Sequence, residues 1–381
     1  MTKTALLLLT MLTMMSGTAI VASLPLMSAH FATIDNIELL SKLLLTLPAL
    51  MVAIFSPLSG YIIDTTGRLR SVYIGLLLFV VGGALGFFVE NFWFILAGRA
   101  IMGVGVAFLM TASTALIGDY FQGESRHKFM GLQSAFNGIG GIIFISGGGF
   151  LAAISWKHPF LIYLLPLLFL PILFKGLYEP AKVKHHSDEI DARLFEKRFI
   201  FIYLAAFGMM NLFYILPTQV PFLLSNHYDQ SPAQVGTMIA FAMFMSALAA
   251  MQYKRLRSLI NVKAIFGLLF VLFGIGVTIM SQAHSMTVFY VGAMFNGLGM
   301  GMMMVNLNAW MLESAPEKLR GRITGMTVSF IFLGQFTSPI FSQTIIALWD
   351  LPTLFLFLGV ASIFLGLFLG LFRRGHHAKK L

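Results

Sequence analysis

One arginine, Arg99, stands inside an otherwise apolar run, FWFILAGRAIMGVG, and carries the clearest chemical potential in the chain. A charge at membrane depth costs roughly 2.5–3.5 kcal/mol on insertion scales, so it is a functional candidate by default. The acidic residues nearest to it in depth are Asp35 and Glu38, with Glu90 just ahead of its helix. One reading is a proton-coupling pair, in which the guanidinium holds a carboxylate charged until a helix moves. A second is an arginine that snorkels its head to the outer surface. A third is direct binding of an anionic substrate. His30 has the right chemistry to titrate near neutral pH, although an exposed loop histidine is its ordinary reading.

A second group is polar but uncharged. Asn211, Tyr214 and Gln219 share one apolar stretch, Asn296, Asn306 and Asn308 a second, Gln133 and Asn137 a third, and Gln335 lies in a fourth. Residues three or four apart share a helix face, which pairs Asn211 with Tyr214 and Gln133 with Asn137. In hydrocarbon such groups need partners. They mark either a substrate cavity or interhelical hydrogen bonds worth under about 1 kcal/mol each. Enzyme chemistry finds no support. With no cysteine there is no thiolate nucleophile or thiolate metal site. No Gly-x-x-x-x-Gly-Lys-Ser/Thr run exists to cradle ATP. His185-His186 and His376-His377 are adjacent pairs in polar segments, a poor metal geometry. No enzyme activity, cofactor or metal is expected.

The elements that position these residues follow from composition. Of 381 residues, 58% are hydrophobic and 10% charged, against about 45–50% and 25% in soluble domains. That excludes a disordered chain and argues against a soluble enzyme or a nucleic-acid-binding globule. A membrane-crossing helix needs roughly 20 apolar residues. Twelve stretches qualify: about 4–28, 38–62, 71–90, 92–118, 129–154, 158–177, 199–225, 233–253, 262–282, 286–311, 323–348 and 352–372. The first is too long for a signal peptide's core and is read as retained. The charged segment 178–198 falls mid-chain and must lie in water.

Positive charge sets orientation. With the N-terminus inside, 22 of the 25 Lys and Arg fall in inner segments, Lys42 and Lys157 fall outside, and Arg99 lies within a span. Both termini are therefore expected in the cytoplasm, and the +10 net charge serves anionic headgroups rather than nucleic acid. The chain also repeats itself. Pro25 and Pro221 are 196 apart, as are Gly103-Val-Gly105 and Gly299-Met-Gly301, while Gly131/Gly140 and Gly325/Gly334 share an offset of 194. Parallel repeats of six helices are a transporter architecture, with the substrate site between them near the midplane.

The segment GYIIDTTGRLR supplies Gly60, Asp64, Gly67, Arg68 and Arg70 in the pattern Gly-x-x-x-Asp-x-x-Gly-Arg plus a further basic residue. It resembles the signature of the major facilitator superfamily between spans 2 and 3. Arg99, Gly103 and Gly105 match that family's Arg-x-x-x-Gly-x-Gly pattern in span 4. The chain also resembles the bacterial drug/proton antiporter branch, which LPLMSAHF after span 1 suggests. That branch's span 5 glycine pattern is matched by Gly131, Gly140, Gly148 and Gly149, but its central Gly-Pro is Phe144-Ile145 here. Span 11 carries Gly334 and Ser338-Pro339 instead, so the pattern is split between the repeats.

The resemblance implies an all-α membrane protein of 12 transmembrane helices in two pseudo-symmetric six-helix bundles, 1–177 and 199–372, with a linker 178–198 and a tail 373–381. Spans 1, 4, 7 and 10 would line the cavity, and the Asp64 loop would lock the inner gate against span 11. It also implies a monomer in the cytoplasmic membrane of a bacterium. The expected function is proton-coupled efflux of amphipathic or hydrophobic small molecules by alternating access. A facilitator or symporter for a small metabolite is the alternative, and a non-transporting receptor or scaffold the alternative of another class. The missing span 5 Gly-Pro and the lack of a mid-span carboxylate keep the first alternative open.

Overall fold

In the computed structural model the described residues are 1–180, 194, 196–316 and 319–371, without the side chains of Asp64, His127 and Leu371. Most of the expected linker and the whole tail 373–381 therefore lie outside the described residues. The chain is all-α, with twelve helical segments long and apolar enough to cross a membrane. Spans 1 to 6 are Thr2–His30, Ile37–Ile63, Arg68–Phe88, Phe92–Tyr120, Gly123–Ile154 and His158–Gly176. Spans 7 to 12 are Lys197–Tyr228, Pro232–Met251, Val262–Ser281, Met286–Ser314, Arg320–Ile346 and Leu351–Gly370. Twelve crossings return the chain to the face on which it began, here called the terminal face.

Span 1 is broken. An α-helix Thr2–Thr18 gives way to a 3₁₀ turn Val21–Ser23, and a new helix Leu24–His30 opens with Pro25 in its first turn. Proline suits that position because its missing N–H would have no partner there. Its repeat counterpart Pro221 instead lies inside the continuous helix Lys197–Tyr228.

Glycine sets how closely the helices approach. A Cβ on Gly105 would meet the Gly75 carbonyl oxygen and the Phe79 nitrogen at 2.7 Å. On Gly299 it would meet the Phe273 nitrogen at 2.6 Å and the Leu269 carbonyl oxygen at 2.8 Å. Gly103 presses on Pro48 of span 2, Gly297 on Ala242 of span 8, and Gly301 on Ser246 of span 8. These matches put the offset at 194 in spans 4 and 10. The pairing of Gly103-Val-Gly105 with Gly299-Met-Gly301 at 196 is thus two residues out: Gly105 corresponds to Gly299, and Gly103 to Gly297. In spans 1 and 7 the offset of 196 stands, because Gly140 meets Met11 where Gly334 meets Phe207.

Spans 2 and 11, and spans 5 and 8, pack across the two repeats. Their contacts gather in the half away from the terminal face. Thr46 Oγ1 donates to the Phe336 carbonyl at 3.5 Å, and Gly149 lies against Pro232 and Gly236. Toward the terminal face the same elements part. Lys42 and Thr46 on span 2 are fully buried, but Pro57 and Tyr61, farther along the same stripe, are exposed. A Cβ on Gly131, Gly138, Gly321 or Gly325 would meet nothing within 4 Å.

The turn between spans 2 and 3 is anchored within its own repeat. Gly67 takes φ +105°, a conformation that only glycine adopts without strain. The Glu179 carboxylate accepts from the Arg68 and Leu69 backbone N–H groups at 2.7 and 2.8 Å, capping the N-terminus of span 3. Arg68 Nε reaches Asp119 at 3.2 Å. The Asp64 side chain lies outside the described residues. On the opposite face Lys157 pairs with Glu90 and holds that carboxyl below its ordinary range.

A leucine at Gly105 or Gly299 would drive into neighbouring backbone, and overpacking costs about 1–3 kcal/mol or more. Gly105→Leu and Gly299→Leu should each lower the thermal midpoint of the purified protein in detergent, whereas Gly131→Leu should leave it unchanged. Equal midpoints for all three would contradict the packing assignment.

Candidate functional site

Arg99 is fully buried and satisfies backbone groups that the helices leave open. Its Nε donates to the Leu44 carbonyl at 2.6 Å and its Nη2 to the Ser16 carbonyl at 2.7 Å. Both acceptors have a local cause. Leu44 lies four residues before Pro48, which has no N–H to offer its carbonyl. Ser16 lies in the last turn of the helix that stops at Thr18, where carbonyls lose their intrahelical partners. Nη1 points at Met102 Sδ, 3.2 Å away, and the guanidinium carbon is 5.2 Å from the Tyr163 ring centroid. The expected pairing with Asp35 or Glu38 is therefore corrected, and snorkelling with it. Arg99 turns inward because span 1 breaks and span 2 carries a proline at its depth. In this structure it is a clamp on spans 1, 2 and 4.

Glu38 has another partner. Lys42, one turn further into span 2, is fully buried rather than outside as its place in the charge count implied. Its Nζ donates to Glu38 Oε1 and to Gln343 Oε1, each at 2.7 Å. It also sits 4.4 Å from the centroid of the Phe222 ring in span 7. One ammonium thus joins span 2 to spans 11 and 7 across the repeats. The sequence carried the signal, a Glu and a Lys at i, i+4 within an apolar helix. Asp35 is exposed in the turn before span 2.

The uncharged residues divide. Tyr214 and Gln335 meet beside Gly17: a Cβ there would lie 3.1 Å from the Tyr214 hydroxyl and 4.0 Å from Gln335 Nε2. A polar contact between spans 7 and 11 therefore meets span 1 one residue from the Ser16 carbonyl that Arg99 holds. Asn211 donates to Thr337 at 2.8 Å, and Gln219 donates to Ser342 at 2.6 Å. These two join span 7 to span 11, as hydrogen bonds between membrane helices do. Gln133 and Asn137 share a half-buried face of span 5, and Asn137 Oδ1 is a buried acceptor without a partner.

Two expected cavity residues lie elsewhere. Asn306 donates to the Val262 carbonyl and accepts from the Tyr253 hydroxyl, both at 3.0 Å, so it fastens the start of span 9 at the terminal face. Asn296 packs its backbone against Gly276 of span 9, inside the second repeat. Its depth was right and its direction wrong. Gly148, of the span 5 pattern, lies under the Ala19 carbonyl beside the break in span 1. Pro339 lies within the span 11 helix. Among the described residues no group of three or more His, Cys, Asp or Glu could hold a metal ion.

The sequence model of the Major Facilitator Superfamily matches residues 6–225 and 199–381. The multidrug transporter protein MdtP of Bacillus subtilis (strain 168) is 32% identical over 120 residues, which cover 31% of this chain and 22% of that protein. The first three curated relatives are matched over only 22% to 27% of their own lengths. The bacillibactin exporter of the same organism is 24% identical over 351 residues, covering 86% of each. The crystal structure of a D-xylose-proton symporter superposes with a TM-score of 0.78 at 17% identity, covering 100% of this chain and 99% of that one. That of a single-residue mutant of the nucleoside transporter NupG gives 0.79 at 11% identity, covering 97% and 99%. At such identities the two structures speak for the fold alone.

Lysine has one compact donor group and cannot span two carbonyls as the guanidinium fork does. Arg99→Lys should lose one charge-assisted hydrogen bond, about 1.5–3 kcal/mol. It should lower the thermal midpoint of the purified protein. A wild-type midpoint would contradict the clamp.

Proposed function

We propose, on the premise that this chain belongs to the Major Facilitator Superfamily, that it is a proton-coupled exporter of amphipathic or hydrophobic small molecules working by alternating access. The observation that carries the reading is the uneven seam between the repeats. Spans 2 and 11 are tied at Lys42–Gln343 and Thr46–Phe336, while Gly131 and Gly325 face open space. With the termini in the cytoplasm, as positive-inside charge favours, this is a state open to the inside and closed to the outside. The two halves, 1–177 and 199–372, rock as bodies about the Tyr214–Gln335 contact, where substrate binds near the midplane. The protein acts as a monomer in the cytoplasmic membrane of a bacterium.

Coupling is assigned to Glu38 and Lys42 rather than to Arg99. Lys42 holds the outer seam only while Glu38 shares its charge. A proton delivered to Glu38 removes that partner from a fully buried ammonium and loosens its hold on Gln343. Removing one member of a buried pair is strongly destabilising, by about 3–5 kcal/mol; because the Glu38 side chain is 39% exposed, the effect here is smaller. Export is favoured over uptake by relatives named as a multidrug transporter and a bacillibactin exporter. Phe144-Ile145 in place of the antiporter Gly-Pro favours the second reading, a symporter or facilitator for a small metabolite.

Proteoliposomes with an imposed pH gradient separate these readings. Lipophilic cations should move against their gradient in wild type. Glu38→Gln and Lys42→Met should each lower the driven rate at least about tenfold, a change of ~1.4 kcal/mol, and flatten its pH dependence. Wild-type pH profiles in both variants would overturn the coupling assignment. Gradient-driven movement of sugars or carboxylates, with none of the cations, would favour the symporter.

A further inference from the structure

A cleft of 670 Å³ opens beside span 7 in the second repeat, toward the terminal face. Ala205 and Gly208 form its floor, Phe266, Phe270 and Trp310 its walls, and Leu365 of span 12 its far side. The first repeat fills the equivalent space. At the repeat offset of 196, Ala205 and Gly208 correspond to Leu9 and Leu12, which are fully packed. At 194, Phe270 and Trp310 correspond to Leu76 and Leu116, also buried. The cleft follows from two leucines replaced by alanine and glycine: a Cβ added at Gly208 would meet nothing within 4 Å.

The cleft is centred away from the central seam. At 100° per residue, Ala205 and Leu212 lie about 180° and 160° from Tyr214 and Gly208 about 120°. Asn211, which also lines the cleft, lies about 60° from Tyr214 and is turned to Thr337 of span 11. Apart from Asn211 and Lys263 its walls are apolar, and it lies at membrane depth, where an open apolar gap is filled by hydrocarbon. One cation lines it. Lys263, in the first turn of span 9, is exposed and makes no ion pair among the described residues. Lys254 and Arg255, on the short helix Tyr253–Leu259 that precedes span 9, add exposed positive charge on the same face. Basic residues between membrane helices at this face attract anionic headgroups. The volume falls within the roughly 300–1,000 Å³ of small-ligand sites.

We propose that this cleft is a lipid site, holding one acyl chain of an anionic phospholipid between spans 7, 9, 10 and 12 with its headgroup at Lys263. The ligand enters from the leaflet at the terminal face and occupies only the second repeat. It does not share the seam in which the transported molecule binds.

Native mass spectrometry of the full chain, titrated with phosphatidylglycerol or phosphatidylcholine, tests this. Wild type should bind one phosphatidylglycerol at least about tenfold more tightly than phosphatidylcholine. Lys263→Gln should abolish that preference while keeping a bound lipid. Ala205→Leu with Gly208→Leu, which copies the first repeat's own residues, should remove both lipids. A photoreactive acyl chain should cross-link to spans 7 and 12 in wild type and not in the filled variant; this arm is read on the monomeric, folded fraction. Equal binding of phosphatidylglycerol by wild type and both variants would overturn the proposal. So would cross-links that a lipophilic cation abolishes while phosphatidylglycerol does not, since the cleft would then be a transport site.

Discussion

Backbone carbonyls without partners inside the membrane are the constraint on which the first repeat is built. Hydrocarbon offers no water, so a break in span 1 and a proline in span 2 would each leave an acceptor stranded. Arg99 answers both with one rigid side chain, through Ser16 and Leu44. Gly103 lets span 2 come close enough for this, since its face lies against the Pro48 backbone. The clamp fixes spans 1, 2 and 4 as one unit. It also places Gly17 beside Tyr214 and Gln335, where the second repeat meets the first.

The repeats share a plan and differ in how they fill it. Spans 3 and 4, and spans 9 and 10, use the same glycine contacts at an offset of 194. Span 7 has no break like that in span 1, and it carries small residues where span 1 carries leucine. The first repeat is thus a packed, clamped body, while the second keeps an internal space. At the seam between them, the half away from the terminal face is joined by Lys42, Thr46 and Gly149, and the half toward it lies open.

Much of this was legible in the sequence. Hydropathy and charge bias gave twelve spans, and the signature residues from Gly60 to Arg70 pointed to the family whose model matches residues 6–225 and 199–381. The role of Arg99 was misread because a carboxylate is the partner first expected for a membrane arginine, although Pro48 already announced a free carbonyl at Leu44. The break in span 1 is marked by Pro25, which has no N–H for the Val21 carbonyl and opens the next helix, while its exact place, beside Gly148 and the Ser16 carbonyl held by Arg99, follows from packing. Lys42 lay close to a loop; its spacing from Glu38 showed that pair, but its contacts with Gln343, 301 residues away, and Phe222 come only from the fold. Asn296 and Asn306 show the limit of depth without direction, because a polar residue in a span faces its own bundle as readily as the seam.

The central claim is that the repeats close on one face while they open on the other, with Lys42 in the closed seam. Distances between spin labels on cysteines introduced into this cysteine-free chain test it most directly. One pair, Met130 and Leu248, spans the repeats toward the terminal face; a second, Asp35 and Asp350, spans them on the opposite face. Lowering the pH across the coupling range, in wild type, should shorten the first distance and lengthen the second together. Lys42→Met should uncouple both changes from pH. Two distances that stay fixed, or that rise and fall in the same direction, would contradict the account.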